Sequence, residues 1–230
     1  MAEAMDSMTA FENLPYWDHL TGEERSLVAR SERTAFFPRG SMVHGAEECL
    51  GLIVVQSGRL RAYLLSEEGR EVTIFRVEEG ESCVLSASCV ISQITFDTHL
   101  TAEEDTRLLV LPAGVFQQLT QENIYIRCFL FEMATERFSE VMWVMQQILF
   151  LGFDRRLALL LAEHVRASGQ TTLRRTHEEL ARDLGSAREV VTRMLRRFAD
   201  EGLVELRRGA VEVKDCAGLE RIAGEAPGRA

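Results

Sequence analysis

The chain has 230 residues, 46% of them hydrophobic, and a formal net charge of −10 at pH 7. That leaves room for one large or two modest domains with a real core, and without low-complexity tracts it excludes a disordered chain. No apolar run is long enough to cross a bilayer and no basic-then-apolar leader opens the chain, so a cytoplasmic protein with no membrane partner is expected.

The acidity argues against nucleic acid only until it is divided along the chain. Residues 1–150 hold 23 acids and 11 bases, whereas 171–214 hold 8 acids and 10 bases. An acidic body with a locally basic C-terminal module fits a protein that touches DNA through one face. The five cysteines, Cys49, Cys83, Cys89, Cys128 and Cys216, are odd in number and irregular in spacing, which argues against structural disulfides.

Residues 1–12 have little pattern and are expected to fray. Leu14, Trp17, Leu20 and Leu27 recur at helical spacing and predict one or two short helices over 14–28. From 32 to 112 short β-rich runs alternate with turns: 34–37, 41–44, 50–56, 59–65, 71–76, 95–102 and 106–111. Breakers stand at Pro38-Arg39-Gly40, Ser57-Gly58, Glu67-Glu68-Gly69 and Glu79-Gly80. Runs at this spacing predict an antiparallel sandwich or jelly roll, with the clearest hairpin across 66–70.

After Pro112 the period becomes helical, with a short helix and then a long one over about 123–150. Ile124, Phe131, Ala134, Phe138, Val141, Met145 and Ile148 occupy heptad a and d positions, interrupted only by Arg127. This is the seam of a two-stranded coiled coil. The alternative is a helix packed on its own β-domain. Phe129, Leu130, Met133, Met142 and Leu149 widen the apolar surface enough for both. A parallel homodimer is the favoured reading, because it matches the two-fold symmetry of DNA half-sites. Gly152-Phe153 is the hinge candidate, and Asp154 is expected to cap a helix to about Arg166 with Leu157, Leu160, Leu161 and Val165 inward. Ser168-Gly169 closes it, and 171–174 is extended.

Residues 176–200 read THEELARDLGSAREVVTRMLRRFAD. Thr176 precedes Glu179 by three positions and Ser186 precedes Glu189 by three, so two capping boxes are expected, each opening a helix. Leu180, Ala181 and Leu184 make the apolar stripe of the first helix, which Gly185 ends. Val190, Val191, Met194, Leu195 and Phe198 supply the buried face of the second, leaving Arg188, Glu189, Thr192, Arg193, Arg196 and Arg197 outside. Two alternating runs, 204–207 and 210–213, flank Arg208-Gly209 and predict a hairpin wing. Arg207 and Arg208 should share the side occupied by the helix arginines. Together this is a winged helix–turn–helix, the pattern that presents a helix to the major groove. The overall class is α+β: an N-terminal antiparallel β-roll of jelly-roll or cupin-like form over 1–121, a dimerisation helix and hinge over 122–152, and a winged helix–turn–helix domain over 153–230.

This order of elements resembles the Crp–Fnr family of bacterial transcription regulators over nearly the whole chain. The most specific stretch is LGSAREVVTRMLRRFADEGLVEL at 184–206, and LIVVQSGRLRAYLLSEEGREVTIFRVEEGE at 52–81 matches more loosely. The resemblance implies an effector-controlled homodimer that binds double-stranded DNA and works with RNA polymerase. It places the base-reading Arg-Glu pair at Arg188 and Glu189, with a second arginine at Arg193. Arginine bonds bidentately to guanine, and glutamate accepts from cytosine. Thr192 stands where fumarate–nitrate-type members carry Ser, and TGA-like half-sites are expected. The full DNA-contact set is Thr176, Ser186, Arg188, Glu189, Thr192, Arg193, Arg196, Arg197 and Arg208. His177 is expected to be an exposed residue of the first capped helix.

At the effector site the pattern departs from the cyclic-nucleotide binders. Gly80-Glu81 is present, but Phe96 and Asp97 stand where the phosphate-gripping Arg-Ser pair belongs, and Val141 and Met142 replace the hydroxyls that meet adenine. Without that cation the sequence argues against cyclic AMP. The cysteine cluster of oxygen-sensing members is missing too, since no cysteine precedes Cys49. What remains is Gly80, Glu81, Cys83, Ser86, Ser88 and Cys89 as the effector segment. Cys83 and Cys89 are either redox-active thiols, or ligands to metal or haem with His44, His99 or Cys128, or small buried residues in a tight turn. The histidines follow no metal spacing. No nucleophile–base pair, phosphate loop or HxH spacing marks an enzyme. An effector-independent DNA binder is the alternative regulator.

Overall fold

A computed structural model describes residues 11–44, 50–83 and 98–224. The chain separates into two compact units, Met1–Leu64 with Ile74–Glu140, and Leu65–Thr73 with Val141–Ala230.

The first unit is built on strands β1 (Arg33–Phe37), β2 (Met42–His44), β3 (Gly51–Ser57), β4 (Leu60–Leu65), β5 (Glu71–Val77), β6 (Ser82–Cys83), β7 (His99–Ala102) and β8 (Thr106–Pro112). They form two four-stranded sheets, ordered β1-β8-β3-β6 and β2-β7-β4-β5. The antiparallel β-roll expected from the sequence is therefore present. β3 pairs β8 in antiparallel register, Leu52 opposite Leu111 and Val54 opposite Leu109. Successive strand side chains point to opposite faces, so the unbroken runs LIVV and LLVL mark strands covered on both sides. Leu52, Val54, Leu109 and Leu111 pack under helices, in one cluster with Phe116, Leu119 and Ile126. Ile53, Val55 and Leu108 turn the other way and are also fully or almost fully buried. Gly58 makes the turn into β4 at φ +88°, where a Cβ would lie 2.6 Å from the Asp105 carbonyl oxygen. β6 has only two residues, too short for alternation to reveal. The front of the predicted run 95–102 lies outside the described residues, as do most of 1–12.

Thr21 opens α1 (Gly22–Ser31) with a complete capping box to Glu24, so the predicted helical stretch begins late, after a 3-10 turn at Trp17–His19. α2 (Ala113–Glu122) follows β8, and α3 (Ile124–Phe150) is the long helix. Its two faces divide the alternatives the sequence left open. Ile126, Phe129, Leu130 and Met133 are buried in the chain's own core at i, i+3, i+4 and i+7 spacing. Ile124, Phe131, Phe138, Met145 and Ile148 remain exposed on a second stripe, with Ala134 and Val141 half-buried. Arg127, the break in that stripe, donates to the carbonyls of Thr120 and Gln121 at 2.8 and 2.7 Å and so closes the end of α2.

The second unit holds α4 (Phe153–Ser168), β9 (Thr172–Leu173), α5 (His177–Leu184), α6 (Arg188–Asp200), β10 (Val204–Arg207), β11 (Ala210–Val213) and α7 (Cys216–Ala223). Its three strands are ordered β10-β11-β9. Leu157, Leu161, Leu180, Val191, Leu195, Phe198, Val211 and Leu219 form one core. Two expectations are corrected. Asp154 does not cap α4: Gly152 does, with no side-chain bond, and Asp154 sits in the first turn, where a carboxylate suits the helix dipole. α7 has no counterpart in the predicted elements. Asp215 caps it by accepting from the Gly218 N–H at 2.8 Å, and Arg155 donates twice to the Ala223 carbonyl at its end.

Candidate nucleic-acid interface

Helix α5 begins as the sequence predicts. Thr176 Oγ1 accepts from the Glu179 N–H at 3.2 Å, and the Glu179 carboxylate accepts from the Thr176 N–H at 2.7 Å. The second capping box does not form. The Ser186 N–H donates to Ala181 O at 2.9 Å, completing the C-terminal turn of α5 around Gly185 at φ +59°. Ser186 therefore ends the first helix, and Ala187, with no side-chain bond, is the N-cap of the second. Arg156 seals the same turn by donating to Leu184 O at 2.8 Å. Burial pushes its pKa down.

Along α6, Val191, Leu195 and Phe198 are fully buried, which fixes the rotation of the helix. Arg188, Glu189, Thr192, Arg193, Arg196 and Arg197, with Asp200, then line one concave strip on its outer side. Four arginines and a glutamate on one helical face are the groups that meet guanine, cytosine and phosphate in a major groove. Arg197 is held by Glu201, Nε to Oε1 2.8 Å, and that bond and charge raise its pKa.

His177 departs from expectation. It is half-buried, and its Nδ1 lies 2.9 Å from Thr192 Oγ1, joining α5 to the reading face of α6. Burial first, then the charges of Arg188 and Arg196, hold its pKa below the ordinary imidazole value. Fifteen residues separate the pair, a spacing without any sequence signature.

The wing forms from β10 and β11, with Arg207 opposite Ala210. Arg207 is paired with Glu212 and, at 3.4 Å, with Glu205. Lys214 bonds Glu205 at 2.8 Å and Glu212 at 2.7 Å. The bond to Glu205, then that to Glu212, raises the lysine pKa, and Lys214 in turn lowers that of Glu205. Arg208 is exposed at the turn. Both members of the arginine pair read from the sequence are thus exposed, and Arg207 is in addition ion-paired.

The profile of the Crp-like helix-turn-helix domain matches residues 155–222, and that of the cyclic nucleotide-binding domain matches 34–123. A crystal structure ascribed to a Crp/Fnr-family transcriptional regulator from Eubacterium rectale is 39% identical, with a TM-score of 0.86 over 91% of this chain and 98% of that one. The chain belongs to the Crp/Fnr family of transcriptional regulators. This Crp/Fnr regulator is also 27% identical to the cyclic AMP receptor protein of Thermus thermophilus, over 91% of its own length and 96% of the relative's. It is 26% identical to the transcriptional regulator flp of Lacticaseibacillus casei, over 91% and 96% of the two chains. It is a DNA-binding transcription regulator of the Crp/Fnr type.

In the roll of this Crp/Fnr regulator, Gly80 makes a turn, and Glu81 precedes the short strand carrying Ser82 and Cys83, both buried. Ser86, Ser88 and Cys89, like Phe96 and Asp97, lie outside the described residues. The structure adds a residue that sequence reasoning missed. Arg137 of α3 is 8% exposed, its guanidinium 4.6 Å over the Phe75 ring and its Nη2 donating to Ser82 O at 3.4 Å. Glu140 pairs with it at 2.8 Å, and Glu81 stands 3.9 Å away. Burial alone would lower its pKa, but the Glu140 hydrogen bond and charge, with Cys83 and Glu81 beyond, turn the shift upward. Its Nε has no hydrogen-bond partner among the described residues.

Proposed function

We propose that this regulator binds a palindromic operator as a homodimer, with α6 of each protomer in the major groove of one half-site. In this reading Arg188 and Arg193 contact guanine edges, Glu189 accepts from cytosine, Thr192 touches a neighbouring base, and Arg196, Arg197 and Arg208 meet phosphates. Thr176 and Ser186 flank the groove from the helix ends. The observation that carries the reading is the single face of α6: its apolar side is sealed in the core while its arginines converge outward. Dimerisation uses the exposed stripe of α3, including Phe131, Phe138, Met145 and Ile148, with Ala134 and Val141 beside it. The functional parts are then a roll over 1–121, the dimerisation helix and hinge over 122–152, and the DNA domain over 153–230.

A small effector or a redox cue at Gly80, Glu81 and Cys83 sets the distance between the two α6 helices by movement about Gly152-Phe153. It must bind one arrangement better than the other to do so. Although relatives are named for cyclic AMP, that nucleotide is not our reading for this chain. The buried cation Arg137 is already matched by Glu140 and faced by Glu81, which leaves little charge for a cyclic phosphate. RNA polymerase is the downstream partner, in the cytoplasm. Among the described residues no helix is long and apolar enough to cross a membrane.

Selection of operators from randomised duplexes tests the reading. Wild type should enrich a palindrome, and Arg193→Ala should lose about 1–3 kcal/mol on it with relaxed preference at one base pair. Equal weakening on every sequence would remove Arg193 from base reading.

A further inference from the structure

Thr192 sits in the middle of the reading face, yet its hydroxyl is engaged within the protein. Oγ1 donates to the Arg188 carbonyl oxygen one turn earlier, at 2.9 Å. The same oxygen lies 2.9 Å from His177 Nδ1. A hydroxyl has one hydrogen and two lone pairs. With its hydrogen on Arg188, the contact to His177 is satisfied only when Nδ1 carries a proton and donates. The hydrogen count thus assigns the ring tautomer. In a helix a threonine side chain divides between two χ1 rotamers, because its Oγ1 can bond a carbonyl one turn back. The second bond, from a residue on another helix, selects one of them.

We propose that His177 is a specificity-determining positioning residue: it pins the Thr192 side chain so that Thr192 presents a methyl group and one acceptor lone pair, with no donor, to the groove. This rests on the DNA-binding reading of α6. His177 is well placed for the task. It is the first residue of α5, held by the Thr176–Glu179 capping box, and so anchored independently of α6. The chemistry follows from the base edges. A side chain without a donor gains nothing from guanine O6 and N7, which only accept, and suits a base offering an exocyclic amine or the thymine methyl.

Full-length wild type, His177→Ala, His177→Asn, Thr192→Val and the His177→Ala/Thr192→Val double variant are each taken through selection on randomised duplexes. Asparagine keeps an N–H donor near the place of Nδ1. In wild type the pair read by Thr192 should disfavour guanine on the contacted strand. His177→Ala should flatten that one preference in each half-site by about three- to tenfold, the scale of one hydrogen bond. Thr192→Val, which also lacks a donor, should keep guanine disfavoured at that pair, the double variant should match Thr192→Val, and His177→Asn should keep the wild-type profile. The salt dependence of binding should be the same throughout.

Unchanged preferences in His177→Ala overturn the proposal. So does uniform weakening on all sequences, or a double variant whose profile differs from that of Thr192→Val. A wild-type protein that selects no sequence at all overturns the DNA-binding reading itself, which separates the two failures.

Discussion

The exposed stripe of α3 makes the sharpest quantitative prediction. Phe138 is 64% exposed in the single chain, and Phe131 61%. A phenylalanine buries on the order of 200 Å² when fully covered, so Phe138 leaves roughly 130 Å² for a partner to cover. Truncation to alanine removes about 100 Å² of this from each protomer, hence ~200 Å² per dimer, and at ~25 cal/mol per Å² that is about 5 kcal/mol. Incomplete coverage at a two-stranded seam brings the expectation to roughly 3–5 kcal/mol, or two to three and a half decades in the dimer dissociation constant. Sedimentation equilibrium from nanomolar to micromolar concentration reads this directly. The fold should survive, since Phe138 is no part of the core that holds Leu130 and Met133. Met133→Ala should do the reverse, lowering the melting temperature while leaving the association constant near wild type. A Phe138→Ala protein that dimerises as tightly as wild type, or a wild type that is monomeric at micromolar concentration, would refute the assignment of the stripe to the dimer.

Three further outcomes follow from the second unit. Thr176→Ala removes the cap of α5 and should cost ~1 kcal/mol in chemical denaturation, with little effect of Ser186→Ala because Ser186 caps nothing. Arg208→Ala should reduce the slope of log affinity against log salt by about 1, the share of a single phosphate partner, whereas Arg207→Ala should change it less, its charge already being met by Glu212 and Glu205. His177 has a folded pKa below its unfolded value, so its neutral form is favoured by folding. Stability from this group is complete above the unfolded pKa, about 6.5, and is lost as pH falls through the lowered folded value, because the unfolded chain takes up the proton first. Thermal melts of wild type and His177→Asn should therefore lie close at neutral pH, with wild type falling below the variant as the pH is taken to acid; parallel curves would remove His177 as the cause.

What the sequence discloses is what lies within a turn or two of chain. The run LIVV in β3, the Thr176–Glu179 box and the spacing of Val191, Leu195 and Phe198 are local signals, and each element stands where they place it. The misreadings share one cause, the commitment of a group to a distant or non-local partner. Ser186 has the composition of an N-cap, but its N–H is used by the preceding helix, which displaces the cap to Ala187. Arg137 carries no local signal of its burial, because the Phe75 ring and the Ser82 carbonyl that cover it lie 55 or more residues away in sequence. His177 and Thr192 meet only because the α5–α6 turn brings two helices together. α7 lacks a strong pattern, since Gly218 interrupts its apolar spacing; its cap at Asp215 was the available clue.

The same commitments explain how a chain of net charge −10 can be a DNA-binding protein. Each phosphate contact contributes salt-dependent affinity for any sequence, with a slope of roughly 0.9 apiece. Here the wing's Arg207 and Lys214 are matched by Glu205 and Glu212, and Arg197 by Glu201, so much of the local positive charge is offset before DNA arrives. Arg188, Arg193 and Arg196 remain as exposed cations on the strip where base edges would lie. Non-specific binding, which depends on summed charge, is weakened by both the paired wing and the acidic body. Base reading, which depends on where a guanidinium points, is not. The charge arrangement therefore raises the ratio of specific to non-specific binding more than it raises affinity, and in a genome full of competing sites that ratio is the quantity a regulator needs.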